Sequence, residues 1–444
     1  MTARAASRAA ALQAVRRELT VPQLPVSRFP LSCGALLLVS PRANAPVCAV
    51  QVHVRGGNSL DPAGKDGLAY LTGRLVDQGT REHTEEELAE LLENAGGSLA
   101  GGATGLSGQV ANDRWELLLE TLGECLTAPT YPQDKFERQR QRLVDRLAVE
   151  LDDPRVQGAQ RFRKLVYGSH WLGRSEPGDP ATVRRITRAD LVRFHATQWC
   201  GKRTVIAFSG DVKPPAVKRL LERRLAAFPP GTDLGPPDLS FPPLAPRTDS
   251  FSAEREQVHV FLGHLGIRRL DPDFAALTVM DHVLGTGPGF TNRISKRLRD
   301  ELGLAYTVSA SIHGSAGVLP GTFTAYIGTS PLHMATAVQG FRREIVRIQR
   351  ELVPGEELAL ARDYLTGSFV LGFERAARRV QTLVSAHRVG LPDDHLEQLV
   401  RAFAAVTSED VRRVARAHLF PDRSCLVVAG PVKPRTVAAL QGKR

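Results

Sequence analysis

The feature that most restricts the fold of this chain is an internal repeat. Thr187, Asp190, Arg203, Gly210, Val212, Lys213 and Pro214 reappear as Thr407, Asp410, Arg423, Gly430, Val432, Lys433 and Pro434, each 220 positions after its mate. The stretches ITRADLVRFHATQWCGKRTVIAFSGDVKP and VTSEDVRRVARAHLFPDRSCLVVAGPVKP each read as a capped helix, a short loop, an apolar strand and a glycine-containing turn. The tetrapeptide Gln-Val-His-Val also occurs twice, beginning at Gln51 and at Gln257. Ordered recurrence of this kind points to duplication of one unit.

Between the copies runs FPPGTDLGPPDLSFPPLAPR, whose proline pairs at 229, 236 and 242 exclude helix and most ladder pairing. This predicts a leader at 1–20, a first domain at 21–228, an extended linker at 229–248 and a second domain at 249–440. Runs rich in β-branched residues at 48–54, 204–209, 258–262 and 426–429 alternate with helical patterns at 132–151 and 332–350, an α+β layout. Thr84 followed by Glu87 forms a capping box ahead of Leu88, Leu91 and Leu92.

A chain of 444 residues exceeds one ordinary core, and 42% apolar with 24% charged residues is a globular composition. The 58 basic against 47 acidic residues leave +11, but the charge is scattered and no zinc-finger or RNA-binding signature accompanies it. No nucleic-acid partner is expected. Five cysteines without a Cys-x-x-Cys spacing argue against both a disulfide framework and a thiolate zinc site, and suit a reducing compartment. The N-terminus lacks the apolar core of a secretory signal, and no run reaches membrane-spanning length. The expectation is a cytoplasmic bacterial protein without a membrane partner, ahead of a mitochondrial-type targeting leader.

Residues 61–80, DPAGKDGLAYLTGRLVDQGT, follow a strand and a Gly-Gly turn and read as a helix with Leu68, Leu71 and Leu75 inward. The segment resembles the active-site helix of the insulinase/pitrilysin family of zinc peptidases, whose inverted motif His-x-x-Glu-His sits in a Gly-Leu-Ala-His…Gly-Thr frame. The frame is present as Gly67, Leu68, Ala69, Gly79 and Thr80, while the working positions hold Tyr70, Gly73 and Arg74. Arg74 has no lone pair for a metal, and Gly73 has no side chain to act as a base. The resemblance places the third ligand near Asp145 or Arg146, upstream of Asp152-Asp153-Pro154, with Glu150 a further carboxylate. Tyr70 and Arg74 read either as a surface pair or with Arg74 in the vacated metal position, paired with Asp145 or Glu150. Gly73 costs about 1 kcal/mol relative to Ala in a helix interior, which fits a decayed site or a close neighbour.

The second half is similar to the family's C-terminal domain, including a Leu-Gly-x-Gly turn at 284–287 and the run Leu-Arg-x-x-x-Gly-Leu-Ala-Tyr at 298–306. The resemblance implies that Arg299 and Tyr306 hold a substrate carbonyl near the zinc, as two hydrogen-bond donors can. By residue type alone they read as a solvated helix arginine and a strand tyrosine with a satisfied hydroxyl, and only their placement inside the family frame favours the functional reading. Residues 93–110 are similar to the family's edge strand, so that Ser98, Leu99, Ala100 and Gly101 would pair with an extended peptide. His259 and His264 fall on opposite faces of a strand, His282 lacks a partner at metal spacing, and His195 with Cys200 lacks a third orienting group.

The likeness spans nearly all of residues 25–440. It implies two homologous insulinase-like α/β domains, each a mixed, mostly antiparallel sheet packed with helices, facing each other as half-shells. In two-chain family members the zinc and the Arg/Tyr pair can be divided between subunits. The expected function is therefore a non-catalytic, substrate-binding subunit of a heterodimeric zinc metallopeptidase acting on peptides, inactive alone. It would carry no metal or cofactor itself, and would pair with a homologous zinc-bearing subunit and a peptide substrate. The alternative is a scaffold or peptide-binding protein of the same fold with no peptidase role.

Overall fold

The computed structural model describes residues 24–288, 291–371, 373 and 375–442. The expected leader at 1–20 lies outside them, as do residues 21–23 of the first expected domain. The first sheet contains β1 (Ser27–Pro30), β2 (Leu36–Pro41), β3 (Val47–Val54), β4 (Ser98–Gly102), β5 (Gly105–Ala111) and β6 (Thr204–Gly210), ordered β1-β2-β6-β3-β5-β4. The second contains β7 (Arg247–Ser252), β8 (Val258–Leu265), β9 (Val308–Ser311), β10 (Thr322–Thr329) and β11 (Cys425–Gly430), ordered β7-β11-β8-β10-β9.

With β1 set aside, the two orders are the same. In each sheet one pair is parallel, β2 with β6 and β7 with β11, and the remaining pairs are antiparallel. The repeat read at 220 positions is therefore a structural duplication. Its helices begin alike, with capping boxes formed by Thr187 and Asp190 and by Thr407 and Asp410. The repeated Gln-Val-His-Val is not part of it. Ala49 faces Ser209 and His259 faces Ala429, which makes equivalent positions of β3 and β8 210 apart. Gln51 and Gln257 are 206 apart, so that match is accidental.

The central strands β2, β3, β6, β8 and β11 are buried on both faces because helices cover both faces. Inside the first half, Phe136, Leu143, Val144 and Leu147 of helix Gln133–Leu151 enter a core shared with Leu37, Val50 and Phe208. The other face of each sheet is covered by the opposite half. Phe162, Val166 and Tyr167 of helix Pro154–Tyr167 pack on Phe261, Cys425 and Val427 of the second sheet. Val380, Leu383 and Val384 of helix Ala376–Val389 pack on Leu38, Ala49, Val205 and Ala207 of the first. These helices start 222 positions apart, so the halves exchange equivalent elements. Each such apolar side chain contributes about 1.5–3 kcal/mol. Arg379 fixes the second helix further, donating to the hydroxyls of Ser209 and Ser40 across 3.3 and 3.1 Å.

The proline-rich segment carries no regular structure from 229 to 246. All five cysteines are buried and unpaired. Among the described residues, no helix is long and apolar enough to cross a membrane.

Candidate functional site

The segment expected to form one long helix at 61–80 is helical only over Leu68–Arg74. Its start is fixed by Asp61, whose two carboxylate oxygens each accept at 2.8 Å, from the N–H of Gly67 and of Ala69. Gly67 holds a left-handed φ of 98°, and a Cβ there would lie 2.5 Å from the carbonyl oxygen of Pro177. Gly79, at φ 129°, turns the chain after the helix. Leu68, Leu71 and Leu75 point into the core as expected.

Gly73 is where this helix meets β4. A Cβ on Gly73 would sit 2.0 Å from the carbonyl oxygen of Gly102, and one on Gly101 would sit 2.2 Å from the carbonyl oxygen of Gly73. Of the two readings the sequence left open, the close neighbour is the one found. Arg74 reaches neither Asp145 nor Glu150. It donates from Nη1 to the carbonyl oxygen of Gly101 at 3.2 Å. Asp145 instead accepts from Gln141, one turn earlier on its own helix, at 2.7 Å. Arg146 is the residue that crosses to the motif helix. Its Nη2 donates to the Tyr70 hydroxyl at 3.3 Å, its guanidinium lies over the Tyr70 ring at 5.6 Å, and its Nε stands 3.7 Å from Glu150.

Zinc, the metal this motif would hold, does not fit these residues. Two guanidinium groups occupy the region, neither with a lone pair to give, and the backbone at the general-base position has no room for a side chain. Other carboxylate and imidazole groups close enough to share an ion occur at Glu82, His83 and Glu124, and at Asp271, Asp273 and His418. Both sets are engaged within the protein. Glu124 accepts from Thr80 and His83, and Asp273 pairs with Arg413 and His418.

β4 ends the first sheet, where the sequence expected an edge strand. It pairs with β5 through Ser98 to Gly102. Antiparallel alternation turns Leu99 and Gly101 toward the free edge if Ser98 and Ala100 bond β5. The contacts of Gly101 agree with this arrangement: its N–H donates to Asp77 Oδ2 at 2.9 Å while its carbonyl accepts from Arg74. Burial holds the Asp77 carboxyl above the usual carboxylate range. Asp77 and Arg74 thus close the edge at Gly101 and leave it at Leu99. Beside β4 lies a cavity of about 180 Å³ lined by Asp77, Gln78, Leu88, Leu92 and Leu99, into whose wall the Gln78 Oε1 is buried without a hydrogen-bond partner among the described residues.

Arg299 lies in a π-helical stretch, Ser295–Glu301, with a mostly buried side chain that donates to Asp300 at 2.8–2.9 Å. Tyr306, just before β9, is 93% exposed and makes no hydrogen bond among the described residues. The histidines take structural places. His259 meets the Tyr326 hydroxyl at 3.0 Å, and His264 accepts from the Phe420 N–H at 3.1 Å. His195 packs between the rings of Tyr131 and Trp199, and the Cys200 thiol faces the Thr232 carbonyl, so the two form no nucleophilic pair.

Sequence reasoning missed Asp77 and the contact of Arg146 with Tyr70. A carboxylate one turn beyond Arg74 was the available signal for the first. For the second, the signal was an arginine already flagged at the expected ligand position.

Comparison with known proteins bears on this arrangement. Residues 37–160 match the family description "Insulinase (Peptidase family M16)", and residues 185–365 match "Peptidase M16 inactive domain". A protein of Streptomyces coelicolor named an uncharacterized zinc protease is 26% identical over 425 residues, covering 92% of this chain and 90% of its own. A Helicobacter pylori protein named a non-peptidase homolog is 22% identical over 385 residues, covering 84% and 86%. Among solved structures, a peptidase M16 inactive domain from Pseudomonas fluorescens has a TM-score of 0.85 at 25% identity, covering 92% of this chain and 98% of that one.

Proposed function

Since this chain belongs to peptidase family M16, we propose that it acts as a non-catalytic, peptide-binding partner of a homologous zinc-bearing subunit, in the cytoplasm of a bacterium. The observation that carries the non-catalytic part is the 2.0 Å approach between a Cβ at Gly73 and the Gly102 carbonyl oxygen. The general-base position has been absorbed into helix–strand packing, with Arg74 satisfying backbone at the edge of the neighbouring strand. The non-peptidase name of the Helicobacter relative supports the same reading.

The peptide-binding part rests on β4, which keeps a free edge at Leu99 with a side cavity beside it. Main-chain pairing to such an edge suits an extended, unstructured peptide. Arg299 and Tyr306 would supply the donors this chain brings to a shared site, and the exposure of the Tyr306 phenol supports that reading. The zinc is the partner's, and no chemical step is assigned to this chain's own motif. Five buried, unpaired cysteines support a reducing compartment.

The test is to combine this chain with its zinc-bearing homologue from the same source and follow hydrolysis of short unstructured peptides. Activity that neither chain shows alone, and that a chelator removes, is the expected result. A homologue fully active by itself, with rate and cleavage pattern unchanged on mixing, would replace the partner reading with a scaffold role.

A further inference from the structure

Away from the motif helix, a cavity of about 360 Å³ opens between helix Ala376–Val389, helix His395–Ala405 and the turn at 316–318. Its size falls in the range of small-molecule sites. Among the described residues its lining includes no carboxylate, while it includes three arginines, Arg269, Arg378 and Arg388.

The arginines are unusual for what they lack. This chain ties many of its arginines to carboxylates, as with Arg174 and Asp66 or Arg293 and Glu357. Arg269 has no ion pair or hydrogen-bonded side-chain acceptor among the described residues. It is half-buried, with its guanidinium held 3.7 Å over the Phe274 ring. Arg388, exposed at the cavity mouth, likewise has no acceptor. Among the described residues, the Arg378 side chain donates to the neutral Gln381 amide at 3.2 Å and to no carboxylate. A partly buried cation without a counter-charge is costly, and burial lowers the pKa of Arg269 accordingly.

The rest of the lining has two characters. Ser385 lies on the same helix between Arg378 and Arg388 and adds a hydroxyl donor, the Thr382 hydroxyl being engaged with the Arg378 carbonyl at 2.9 Å, while Phe373, Leu391, Leu396 and Leu399 give an apolar floor. Guanidinium forks beside a hydroxyl and an apolar floor suit a ligand with an anionic head and an apolar body. We infer that this cavity binds a small organic anion, carrying a phosphate or carboxylate head and an apolar part. Because helix Ala376–Val389 packs its other face on the first sheet, such a ligand would join elements that tie the two halves together.

The test uses the full chain, with calorimetric titration and thermal melts in phenyl phosphate, in benzoate and in neutral benzyl alcohol. Saturable one-to-one binding of at least one of the two anions, with a raised melting temperature and no binding of the alcohol, is expected. The arms also tell which head the site prefers. Arg269→Ala and Arg388→Ala should each weaken binding roughly 10-fold or more, the loss of one charge-assisted hydrogen bond. Ser385→Trp fills the cavity from an exposed helix position without touching a charge, and should abolish binding even if the Arg269 variant folds poorly. Failure of both anions to saturate, or affinity unchanged in Arg388→Ala and Ser385→Trp, overturns the inference.

Discussion

Arg74 donates from Nη1 to the carbonyl oxygen of Gly101 across 3.2 Å, so the residue at the position where the family resemblance expects a metal ligand closes part of the sheet edge beside it. With Asp77 taking the Gly101 N–H, a peptide adding to β4 must compete with two side chains of its own host. Arg74→Ala should therefore strengthen binding of an unstructured peptide to the isolated chain by about 10-fold, the scale of one charge-assisted hydrogen bond removed from competition. Leu99→Pro should weaken it by removing a donor from the open part of the edge. Fluorescence anisotropy with a labelled peptide reads both. Identical affinities in the three proteins would show that peptides do not use this edge.

Gly73→Ala should destabilise the chain, although Ala is ordinarily the better helix residue by about 1 kcal/mol. The added methyl would meet the Gly102 carbonyl oxygen at 2.0 Å, and the helix and β4 must separate to admit it. Overpacking of this kind costs about 1–3 kcal/mol. Urea unfolding measures it, and a variant as stable as the parent would mean that the contact relaxes freely.

The purified chain should hold no stoichiometric zinc, and the triple variant Tyr70→His, Gly73→Glu, Arg74→His should hold none either. The glutamate has no space beside β4, and Arg146 keeps its cation over position 70. Elemental analysis after zinc loading and dialysis decides this, with about one zinc per chain as the contrary result.

In an assembled, active complex, Arg299→Ala or Tyr306→Phe should reduce turnover more than it weakens assembly. Removing one donor to a developing oxyanion costs about 10²- to 10³-fold in rate. In the isolated chain, Tyr306→Phe should leave stability within about 0.5 kcal/mol, because the phenol is 93% exposed and bonds to nothing described. Undiminished turnover in a complex that still forms would return both residues to ordinary structural duty.

Acid should destabilise the fold from about pH 6.5 downward. Burial pushes His53 down to about 3, with Arg388 and Arg55 adding to the effect, and pushes His195 and His264 down to about 4. All three are depressed below the ordinary value of 6.5, so the unfolded chain binds more protons as pH falls. Each removes about 1.4 kcal/mol per pH unit between its unfolded and folded values. Asp61, pushed up to about 6 by burial, runs the other way between pH 4 and 6, as do the burial-raised carboxyls of Asp77 and Glu344. Burial also depresses His259, His282, His387 and His395, which adds to the imidazole side. Thermal melts between pH 7.5 and 5 should show a falling midpoint, and His195→Phe should flatten the slope. A midpoint rising toward pH 5 would contradict the assignment.

What the sequence determined alone was whatever depends on local pattern or on the chemistry of a single residue. The capping boxes at Thr84, Thr187 and Thr407 needed only their own turn. The duplication needed only two equivalent stretches of chain, and the unsuitability of Arg74 as a metal ligand needed only the guanidinium. The partners chosen across long separations were decided by tertiary structure. Nothing local told that Gly73 serves a 2.0 Å approach to β4, that Arg74 turns to Gly101 while Arg146 takes Tyr70, or that each half lends its helix to the other's sheet. Those outcomes depend on which apolar faces remain uncovered once each half has formed, and a β-sheet with one bare face accepts an equivalent helix from either copy of a duplicated unit. Which copy supplies it is set by the packing of the whole chain.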